Sequence, residues 1–480
     1  MTSPILIWFR RDLRLADNPA LTHALSTGSP VLPVFIRDPA ERLGAASDWW
    51  LHHSLAALAT GLGRIGLPLI LRQGPAETVL GGLVAETGAT AVLWNRLYDP
   101  PLRARDAAIK AGLKAQRLEA VSFPGNLIRE PWEAKTGAGQ PYSVFTPFWK
   151  ALLAMGDPSP PLPAPDGPAL APSALPPSDS LSDWDLLPTR PDWAGGMRAA
   201  WTPGEDGAQA KLDSFLTDGL NGYRKRRDIP GDSGVSRLSP HLHFGEISAR
   251  QLWHITLSAI RSGRSPAGED DAMGFLRELG WRDFSHHLLF HRPDMETMNF
   301  NQRFDAFPWV GDDALFQTWA RGRTGYPIID AGMRELWITG YMHNRVRMVV
   351  ASFLVKHLLI DWRRGEAWFR DTLVDADRAN NVASWQWVAG SGADAAPYFR
   401  VFNPIIQGEK FDPNGRYVRQ YVPELAKLPD RWLHRPWEAP RQDLAIAGVT
   451  LGSTYPRPIV EHAVGRERAL AAYAEMREEG

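Results

Sequence analysis

The sequence predicts an α/β domain, built on a doubly wound parallel sheet of Rossmann type, followed by an all-α domain. Apolar runs alternate with helical periodicity over residues 1–130. A proline-rich stretch then interrupts the pattern, and the rest of the chain spaces its apolar residues as helices do. We therefore place an α/β domain at 1–130, a connector at 131–200 and a helical domain at 201–480.

Four apolar runs are the candidate strands of the first domain. They span residues 5–9, 31–36, 67–72 and 91–95. Between them, residues 49–62 and 77–86 have apolar side chains at helical spacing. Strands buried on both faces are apolar throughout, as these runs are, and ligands of such folds bind at the carboxyl ends of the strands.

The glycines of GLGRIG, residues 61–66, match the dinucleotide-binding pattern G-x-G-x-x-G. Here they follow a helical segment and precede a strand. The phosphate-binding version has the opposite order, because phosphate binds at the N-terminus of the helix that follows. We interpret these glycines as the end of a helix.

The connector is defined by nine prolines between Asp157 and Ser178. Proline lacks a backbone N–H and restricts its own backbone angle, so helix and sheet are both disfavoured. The stretch is therefore predicted to be extended.

Composition restricts the chemistry. The chain has 480 residues, 20 tryptophans and no cysteine, with 53 Lys and Arg against 54 Asp and Glu. Thiolate catalysis, disulfides and Cys-ligated metals are excluded, and a net charge of −1 does not favour binding of nucleic acid through bulk charge. No Walker loop, nucleophile elbow or zinc-protease motif is present, so a bound cofactor is expected. No apolar run reaches the length of about 18 residues that spans a membrane, which predicts a cytoplasmic protein.

One predicted helix, residues 271–290, carries a polar stripe. Glu278, Trp281 and Arg282 lie on one face, with Ser285 one turn further on. Such a stripe could stack a flat ligand on Trp281, hydrogen-bond it through Glu278 and bind an anion through Arg282. A surface ion pair beside a half-covered tryptophan explains the same residues equally well.

Two further helices begin with polar residues. The segment 341–359 opens with His343, Asn344, Arg345 and Arg347, which either face a ligand or cap the helix. The segment 375–388 places Asp377, Asn381 and Trp385 on one face. Its acidic residues also suit a helix N-terminus, but the amide of Asn381 within a helix suggests a specific partner.

A basic run at 222–230 precedes a serine-rich segment. Ser236, Arg237 and Ser239, with nearby backbone N–H groups, could bind phosphate, and the basic run could bind a nucleic-acid backbone. A solvated charge run before a turn is an equally good explanation of these residues.

Taken in order, these segments resemble the photolyase/cryptochrome family across essentially the whole chain. The resemblance rests on the motifs WFRRDLRLADN, SRLS, WRDF, RTGYPIIDAGMRELW, MHNRVRM, WQWVAGSGADAAPYFRVFNP and QGEKFDP. The segments WWLHHSLAAL and LGSTYPRPIV look most like the bacterial class III photolyases of cyclobutane pyrimidine dimers. The resemblance implies a monomer in which the helical domain binds FAD, and in which photoexcited FADH⁻ donates an electron that splits dimers in ultraviolet-damaged DNA.

The resemblance also assigns positions to the flavin. Arg347 and Asp375 match an ion pair beside the isoalloxazine, and Asn381 matches the residue that faces flavin N5. The full set of implied cofactor contacts is Tyr223, Val235, Ser236, Arg237, Leu238, Ser239, Arg282, Asn344, Arg347, Asp375, Ala376, Asp377 and Asn381.

The resemblance assigns a second set to DNA and the lesion. This set is Arg227, Glu278, Trp281, Arg282, Asn344, Met348, Trp387, Arg400 and Gln407. The implied catalytic residues are Glu278, which stabilises charge on a thymine carbonyl, Asn381, and an electron relay that runs from Trp385 through Trp362 to Trp309. Trp319, Trp337 and Trp368 are available for another route.

The chain departs from the family at the antenna. Gly44 and Leu102 occupy positions where enterobacterial photolyases hold folate. We still expect 5,10-methenyltetrahydrofolate, near Trp50 and His53, with a deazaflavin or no antenna as alternatives. Arg277 stands where the family usually has Asn before the pocket glutamate, and nothing in the sequence says what this changes.

Two other functions of the same family remain open. A cryptochrome would signal without repair, and Trp281, Asn381 and the end of the chain at Gly480 argue against it. A photolyase of (6-4) lesions would need histidine acid/base groups, for which His241 and His243 are candidates.

Overall fold

The chain forms two compact units. The computed structural model describes residues 3–395 and 399–479. The first unit consists of Met1–Ala194, Arg198–Asn221 and Ser236–Pro293, and the second of Gly195–Met197, Gly222–Val235 and Asp294–Gly480. The units interleave along the sequence, so no single cut separates them, and the domain boundaries given above remain a prediction.

A five-stranded parallel sheet lies in the first unit. Its strands are β1 Ile5–Phe9, β2 Val31–Arg37, β3 Ile70–Gln73, β4 Ala91–Asn95 and β5 Glu119–Phe123. Their order is β3-β2-β1-β4-β5, and every pair is parallel. Because the order reverses between β1 and β4, the predicted doubly wound sheet is confirmed. The sequence did not reveal β5, in which Ala120 alone is fully buried, so it gives no apolar run.

Helices make up most of the remaining chain. Within the described residues they are α1 Pro19–Ser26, α2 Ala45–Arg64, α3 Ala76–Thr87, α4 Pro100–Ala115, α5 Phe145–Ala154, α6 Gly195–Ala200, α7 Glu205–Ser214, α8 Tyr223–Arg226, α9 Ser239–His243, α10 Ala249–Arg261, α11 Glu269–His291, α12 Asp313–Ala320, α13 Pro327–Thr339, α14 Asn344–Ser352, α15 Trp362–Thr372, α16 Arg378–Ala389, α17 Pro404–Phe411, α18 Arg416–Tyr421, α19 Asp430–Leu433, α20 Arg441–Ala447 and α21 His462–Glu479. A π-helical turn, Phe353–His357, continues α14. The predicted all-α character of the C-terminal region is confirmed.

Helix α2 ends where the glycine pattern predicted. It stops at Arg64, and Gly66 then adopts a φ of 81°, which favours glycine. The segment GLGRIG is therefore a helix end and not a phosphate loop.

The proline-rich stretch has neither α-helix nor strand between 157 and 178, as predicted. It is nevertheless bound to the first unit along its length. Val31 N donates to Leu170 O at 2.8 Å, and Ala169 N donates to Ile65 O at 2.8 Å. The stretch is thus an extended strap on the first unit rather than a free spacer.

Buried charges fill the carboxyl ends of β1 and β4, where ligands of such sheets usually bind. Arg10 pairs with Asp106 at 2.5 Å, and Asn95 donates to Asp12 at 2.7 Å. These groups bind one another, so this crevice is occupied by the protein's own side chains.

The second unit has an aromatic cluster at its C-terminal helix. Phe304, Phe307, Ala469, Ala472 and Met476 are buried together. Among the described helices, none is both long and apolar enough to span a membrane.

Candidate functional site

The serine-rich segment of the first unit has an unusual backbone. Arg237 adopts a φ of 53°, in the left-handed region that costs a non-glycine residue about 1–3 kcal/mol. Its guanidinium lies over the ring of Trp201 at 4.8 Å. Leu238 is buried, whereas Ser236 is half-buried and Ser239 exposed at the start of α9. Such strain concentrates at ligand sites, which agrees with the predicted phosphate-binding role.

A buried hydrogen-bond network lies directly behind this segment. The carboxylate of Glu246 accepts from Trp50 Nε1 at 2.9 Å and pairs with His241 Nδ1 at 2.5 Å. All three side chains are buried. His241 is therefore accounted for by packing, and Trp50 is enclosed, so the antenna expected near it has no access to that ring.

Helix α11 presents the predicted stripe in the first unit. The ring of Trp281 stacks on Phe145, with centroids 3.6 Å apart and planes at 9°. One face of Trp281 is thus covered by the protein, which leaves at most the other face for a ligand. Glu278, like Trp281, is half-buried.

Arg282 makes one hydrogen bond that the stripe did not predict. Its Nη1 donates to the backbone oxygen of Asn126 at 2.6 Å. This hydrogen bond ties α11 to a neighbouring loop, and the anion, cofactor and DNA contacts assigned to Arg282 remain predictions.

Asp283 anchors the same helix. Its carboxylate accepts from Ile128 N at 2.9 Å and from Arg129 N at 3.0 Å. Burial raises the pKa of Asp283 to about 6, although Arg282 and these hydrogen bonds oppose the rise. This role was not predictable from the polar stripe, since Asp283 lies beside it.

In the second unit an ion pair joins α14 to the segment before α16. Arg347 Nη2 contacts both carboxylate oxygens of Asp375, at 2.9 and 2.8 Å, and its Nε donates to Met342 O at 2.7 Å. Burial, the largest single influence, lowers the pKa of Arg347, but the charge and hydrogen bonds of Asp375, together with Tyr341 and Glu335, outweigh it and the pKa is raised. The predicted ion pair between Arg347 and Asp375 is therefore present in the structure, and its place beside a flavin remains a prediction.

Helix α16 begins later than predicted. Asp377 is its N-cap and accepts from Asn380 N at 2.9 Å, so Asp375 and Ala376 precede the helix. Asn381 lies in the first turns, where its Nδ2 donates to Glu366 Oε1 at 2.9 Å. The specific partner expected for Asn381 is therefore Glu366, on α15.

The basic run contributes ion pairs of its own. Arg226 pairs with Asp232 at 2.8 Å, and Asp228 pairs with Arg345 at 3.0 Å. Arg227 lies over the buried ring of Tyr223 at 5.4 Å. Arg226, Arg227 and Asp228 are thus built into the second unit, whereas Arg224 and Lys225 are exposed. Val235 is half-buried and Asn344 exposed.

Trp385 is enclosed in the second unit. Its ring contacts Phe369 at 5.0 Å and Trp319 at 6.4 Å between centroids. A Cβ on Gly365 would lie 2.2 Å from this ring, so only glycine fits there. Trp362 is fully buried and donates to Asn299 at 2.9 Å, and Trp309 packs on Phe307. Among the described residues, the ring contacts of Trp385 do not include Trp362.

A second series of rings reaches the surface. Trp319 contacts Phe316 at 5.7 Å, Phe316 contacts Trp368 at 6.2 Å, and Trp368 stacks on Trp337 at 6.1 Å. Trp337 is 60% exposed. These are the tryptophans named above as an alternative route.

Two of the predicted DNA residues lie at a small aromatic pocket of about 60 Å³ in the second unit. Trp387 and Arg400 line it, and buried Lys356 donates to Arg400 O at 2.6 Å. Burial lowers the pKa of Lys356 to about 7. Met348 and Gln407 are half-buried, and residues 396–398, part of a motif behind the resemblance, lie outside the described residues.

Sequence reasoning missed Phe145, Glu366 and Lys356. Glu366 precedes Arg370 by four residues, the spacing of an ordinary surface pair, and Lys356 sits in an apolar run. A lysine within a buried helix is the one available signal, because its charge demands a partner. Nothing in the sequence links Phe145 to Trp281.

Among the buried donors that lack hydrogen-bond partners within the described chain are two at helices α14 and α16. They are Nε2 of His343 and Nε1 of Trp385. Burial lowers the pKa of His343 to about 4, and its Nδ1 accepts from Arg345 N, so the proton lies on Nε2. Buried donors without partners are rare, and a polar ligand such as a flavin would satisfy them.

Comparisons with known proteins agree with this geometry. Residues 275–475 match the FAD binding domain of DNA photolyase, and residues 5–166 match DNA photolyase. A deoxyribodipyrimidine photo-lyase of Agrobacterium fabrum is 55% identical over 99% of this chain and 98% of its own length. Cryptochrome-1 of Arabidopsis thaliana is 40% identical over 98% of this chain and 70% of its own length. The crystal structure of a bacterial class III photolyase from Agrobacterium tumefaciens has a TM-score of 0.97 and 54% identity, covering 100% of this chain and 98% of that one.

Identity at this level over nearly the whole chain settles the family. The chain belongs to the DNA photolyase and cryptochrome family, and its helical region contains the family's FAD-binding domain.

Proposed function

We propose that this chain is a deoxyribodipyrimidine photo-lyase of the class III branch, which splits cyclobutane pyrimidine dimers in DNA under light. The observation that carries the proposal is 55% identity, along both full lengths, to a protein of that activity. The ion pair of Arg347 with Asp375 and the amide of Asn381, both within one compact unit, agree with it. Cryptochromes are more distant relatives at 40% identity.

The residues fit a bound FAD. Bound in its reduced form, FADH⁻ supplies the photoexcited electron that opens the cyclobutane ring and then returns. Arg347 and Asp375 lie beside the ring system in this proposal, and Asn381 faces N5. Tyr223 and Val235, with Ser236 to Ser239, bind the remainder of the cofactor. His343 offers a neutral donor, because its pKa is too low for it to be charged at neutral pH.

We assign lesion binding to residues that the family resemblance places at the DNA and the lesion. The extruded dimer stacks on the open face of Trp281, and Trp387 and Met348 supply apolar contacts. Glu278 stabilises the charge that develops on a thymine carbonyl. Asn344 also contacts the lesion, while Arg227, Arg400 and Gln407 contact the strand that carries it.

Electrons that restore the reduced flavin pass through Trp385. From there the proposed relay continues to Trp362 and Trp309. The ring contacts of Trp319, Phe316 and Trp368 offer a parallel route to exposed Trp337. Both routes include Trp385, so loss of its indole would interrupt both of them.

The remaining assignments are part of the same proposal. We assign 5,10-methenyltetrahydrofolate as antenna near His53, since His52 Nδ1 and His53 Nε2 have no hydrogen-bond partner within the described chain. We also propose a cytoplasmic monomer. The absorption spectrum of the purified protein identifies the antenna, and sedimentation in solution gives its oligomeric state.

One assay tests the function. Reduced protein is illuminated with blue light on DNA that contains either a cyclobutane dimer or a (6-4) lesion, and restored thymines are measured by chromatography against a dark control. We expect repair of the cyclobutane dimer alone. Flavin binding without repair of either lesion would indicate a cryptochrome, and repair of the second lesion would indicate a (6-4) photolyase.

The role of Glu278 is tested in the same assay. Glu278→Ala is expected to lower repair per absorbed photon more than it lowers DNA binding. Glu269→Ala removes an exposed carboxylate from the first turn of the same helix and serves as the matched control. An unchanged repair yield in Glu278→Ala would remove this residue from the catalytic set.

A further inference from the structure

Asn381 is held from one side by Glu366. Its Nδ2 donates to Glu366 Oε1 at 2.9 Å and to the backbone oxygen of the same residue at 3.2 Å. Glu366 lies on α15 and is 3% exposed, so water does not compete for these bonds. The contact joins two helices through one amide.

The carboxylate of Glu366 is itself fixed. Arg370, one turn later, donates from Nε to Oε1 at 3.1 Å and from Nη2 to Oε2 at 2.6 Å. A bidentate pair of this kind holds the carboxylate plane in place. Glu366 therefore presents a fixed acceptor to Asn381.

Two acceptors against one amide determine which way the amide points. Only the NH₂ group can donate to both a carboxylate and a backbone carbonyl. A rotated amide would set its oxygen against two oxygens and lose both bonds. The oxygen of Asn381 thus points away from Glu366, and within the described chain it accepts no hydrogen bond.

The adjacent residue provides a contrast. Asn380 donates its own Nδ2 to Asp377, the N-cap of the same helix, at 2.7 Å. Its amide therefore stabilises the start of α16. Of the two neighbouring asparagines, Asn381 is the one whose amide is set by another helix.

We propose that Glu366 is a positioning residue that turns the oxygen, and not the NH₂ group, of Asn381 toward the flavin. This rests on the proposed function, in which Asn381 faces N5. Conversion of FAD to FADH⁻ takes up two electrons and one proton, and the proton is placed on N5. An amide oxygen accepts a hydrogen bond from N5–H, whereas oxidised N5 is itself an acceptor. Glu366 therefore favours the reduced flavin that repair requires.

Two substitutions of Glu366 separate the effect of the Asn381 amide orientation from the effect of charge. Glu366→Met and Glu366→Gln both remove the negative charge, and that loss alone makes the flavin easier to reduce. Glutamine keeps an acceptor for Asn381, and methionine does not. We expect the ratio of reduced to oxidised flavin, at a fixed potential, to be about tenfold lower in Glu366→Met than in Glu366→Gln, which corresponds to about 1.4 kcal/mol.

The measurement is a redox titration in the dark, followed by flavin absorbance in the full chain. Glu424→Gln is the control, because it breaks the ion pair of Glu424 with Arg334 in the same unit and leaves Asn381 untouched. In an Asn381→Ala background the difference between the two Glu366 variants is expected to vanish. If Glu366→Met fails to retain flavin, Arg370→Gln, whose side chain is 37% exposed, is expected to lower the ratio more in the presence of Asn381 than in the Asn381→Ala background, because the loss of its charge acts equally in both.

Equal ratios in the two Glu366 variants would overturn the proposal, as would a difference that persists without Asn381. The proposed function is tested separately by the unaltered protein. Flavin binding and dimer repair by that protein, together with equal ratios, would reject only the positioning role. Absence of flavin from the unaltered protein would reject the proposed function.

Discussion

Helices α11 and α16 each carry a tryptophan at helical spacing from a polar residue, but the two tryptophans are held in opposite ways. Trp281 on α11 is half-buried, with Phe145 against one face of its ring. Trp385 on α16 is 2% exposed and packs on Gly365. One arrangement leaves an aromatic face for a ligand, and the other isolates an aromatic ring from water. Spacing alone does not distinguish a stacking residue from an electron carrier, whereas the neighbouring side chains do.

The largest effect is expected at Trp385. Trp385→Phe keeps the packing and removes the readily oxidised indole, so photoreduction of the oxidised flavin with a thiol reductant should fall to the dark level. Trp253→Phe, at a buried tryptophan of the first unit, is the control and should leave the rate unchanged. Absorbance during illumination gives both rates. Rapid photoreduction in Trp385→Phe would mean that neither ring series carries the electrons.

The next largest effect is expected at Gly365, which packs against the enclosed ring of Trp385. Gly365→Ala places a methyl group 2.2 Å from the ring of Trp385, and overpacking of this kind costs about 1–3 kcal/mol. Gly81→Ala, in α3 with open space around it, should instead stabilise the protein by about 0.5–1 kcal/mol. Denaturant unfolding measures both changes. Equal effects of the two substitutions would show that the contact with Trp385 is not tight.

A smaller effect is expected at the other tryptophan. Trp281→Ala removes one stacking platform, which should weaken binding to dimer-containing DNA about tenfold, near the lower end of about 1–3 kcal/mol per stacked base. Binding to undamaged DNA should change little. Trp132→Ala removes an exposed tryptophan of the first unit as a control. If both substitutions weaken lesion binding equally, Trp281 has no special place in it.

The sequence predicted secondary-structure elements better than it predicted contacts between side chains. Four apolar strands and the helix end at Arg64 were predictable because burial on both faces and glycine leave a local signal. Strand β5 was not, because four of its five residues are not fully buried. The ion pair of Arg347 with Asp375 came from family resemblance. The stacking of Phe145 on Trp281 and the contact of Glu366 with Asn381 each join two different helices, and periodicity along one helix carries no information about another.

The last prediction concerns the pH dependence of the contact that anchors α11. Burial raises the pKa of Asp283 from its usual 3.8 to about 6, so between these values the folded state keeps a proton that the unfolded chain has lost. The contribution of this group to stability therefore falls as pH rises from about 4 to 6 and is level outside that window. In Asp283→Asn this dependence is absent. Urea unfolding of both proteins at several pH values should show that the unaltered protein loses stability relative to Asp283→Asn as pH rises from about 4 to 6. A difference that is constant with pH would indicate that Asp283 stays charged, held by Ile128 and Arg129, and that α11 is anchored by a permanent ion rather than by a titrating acid.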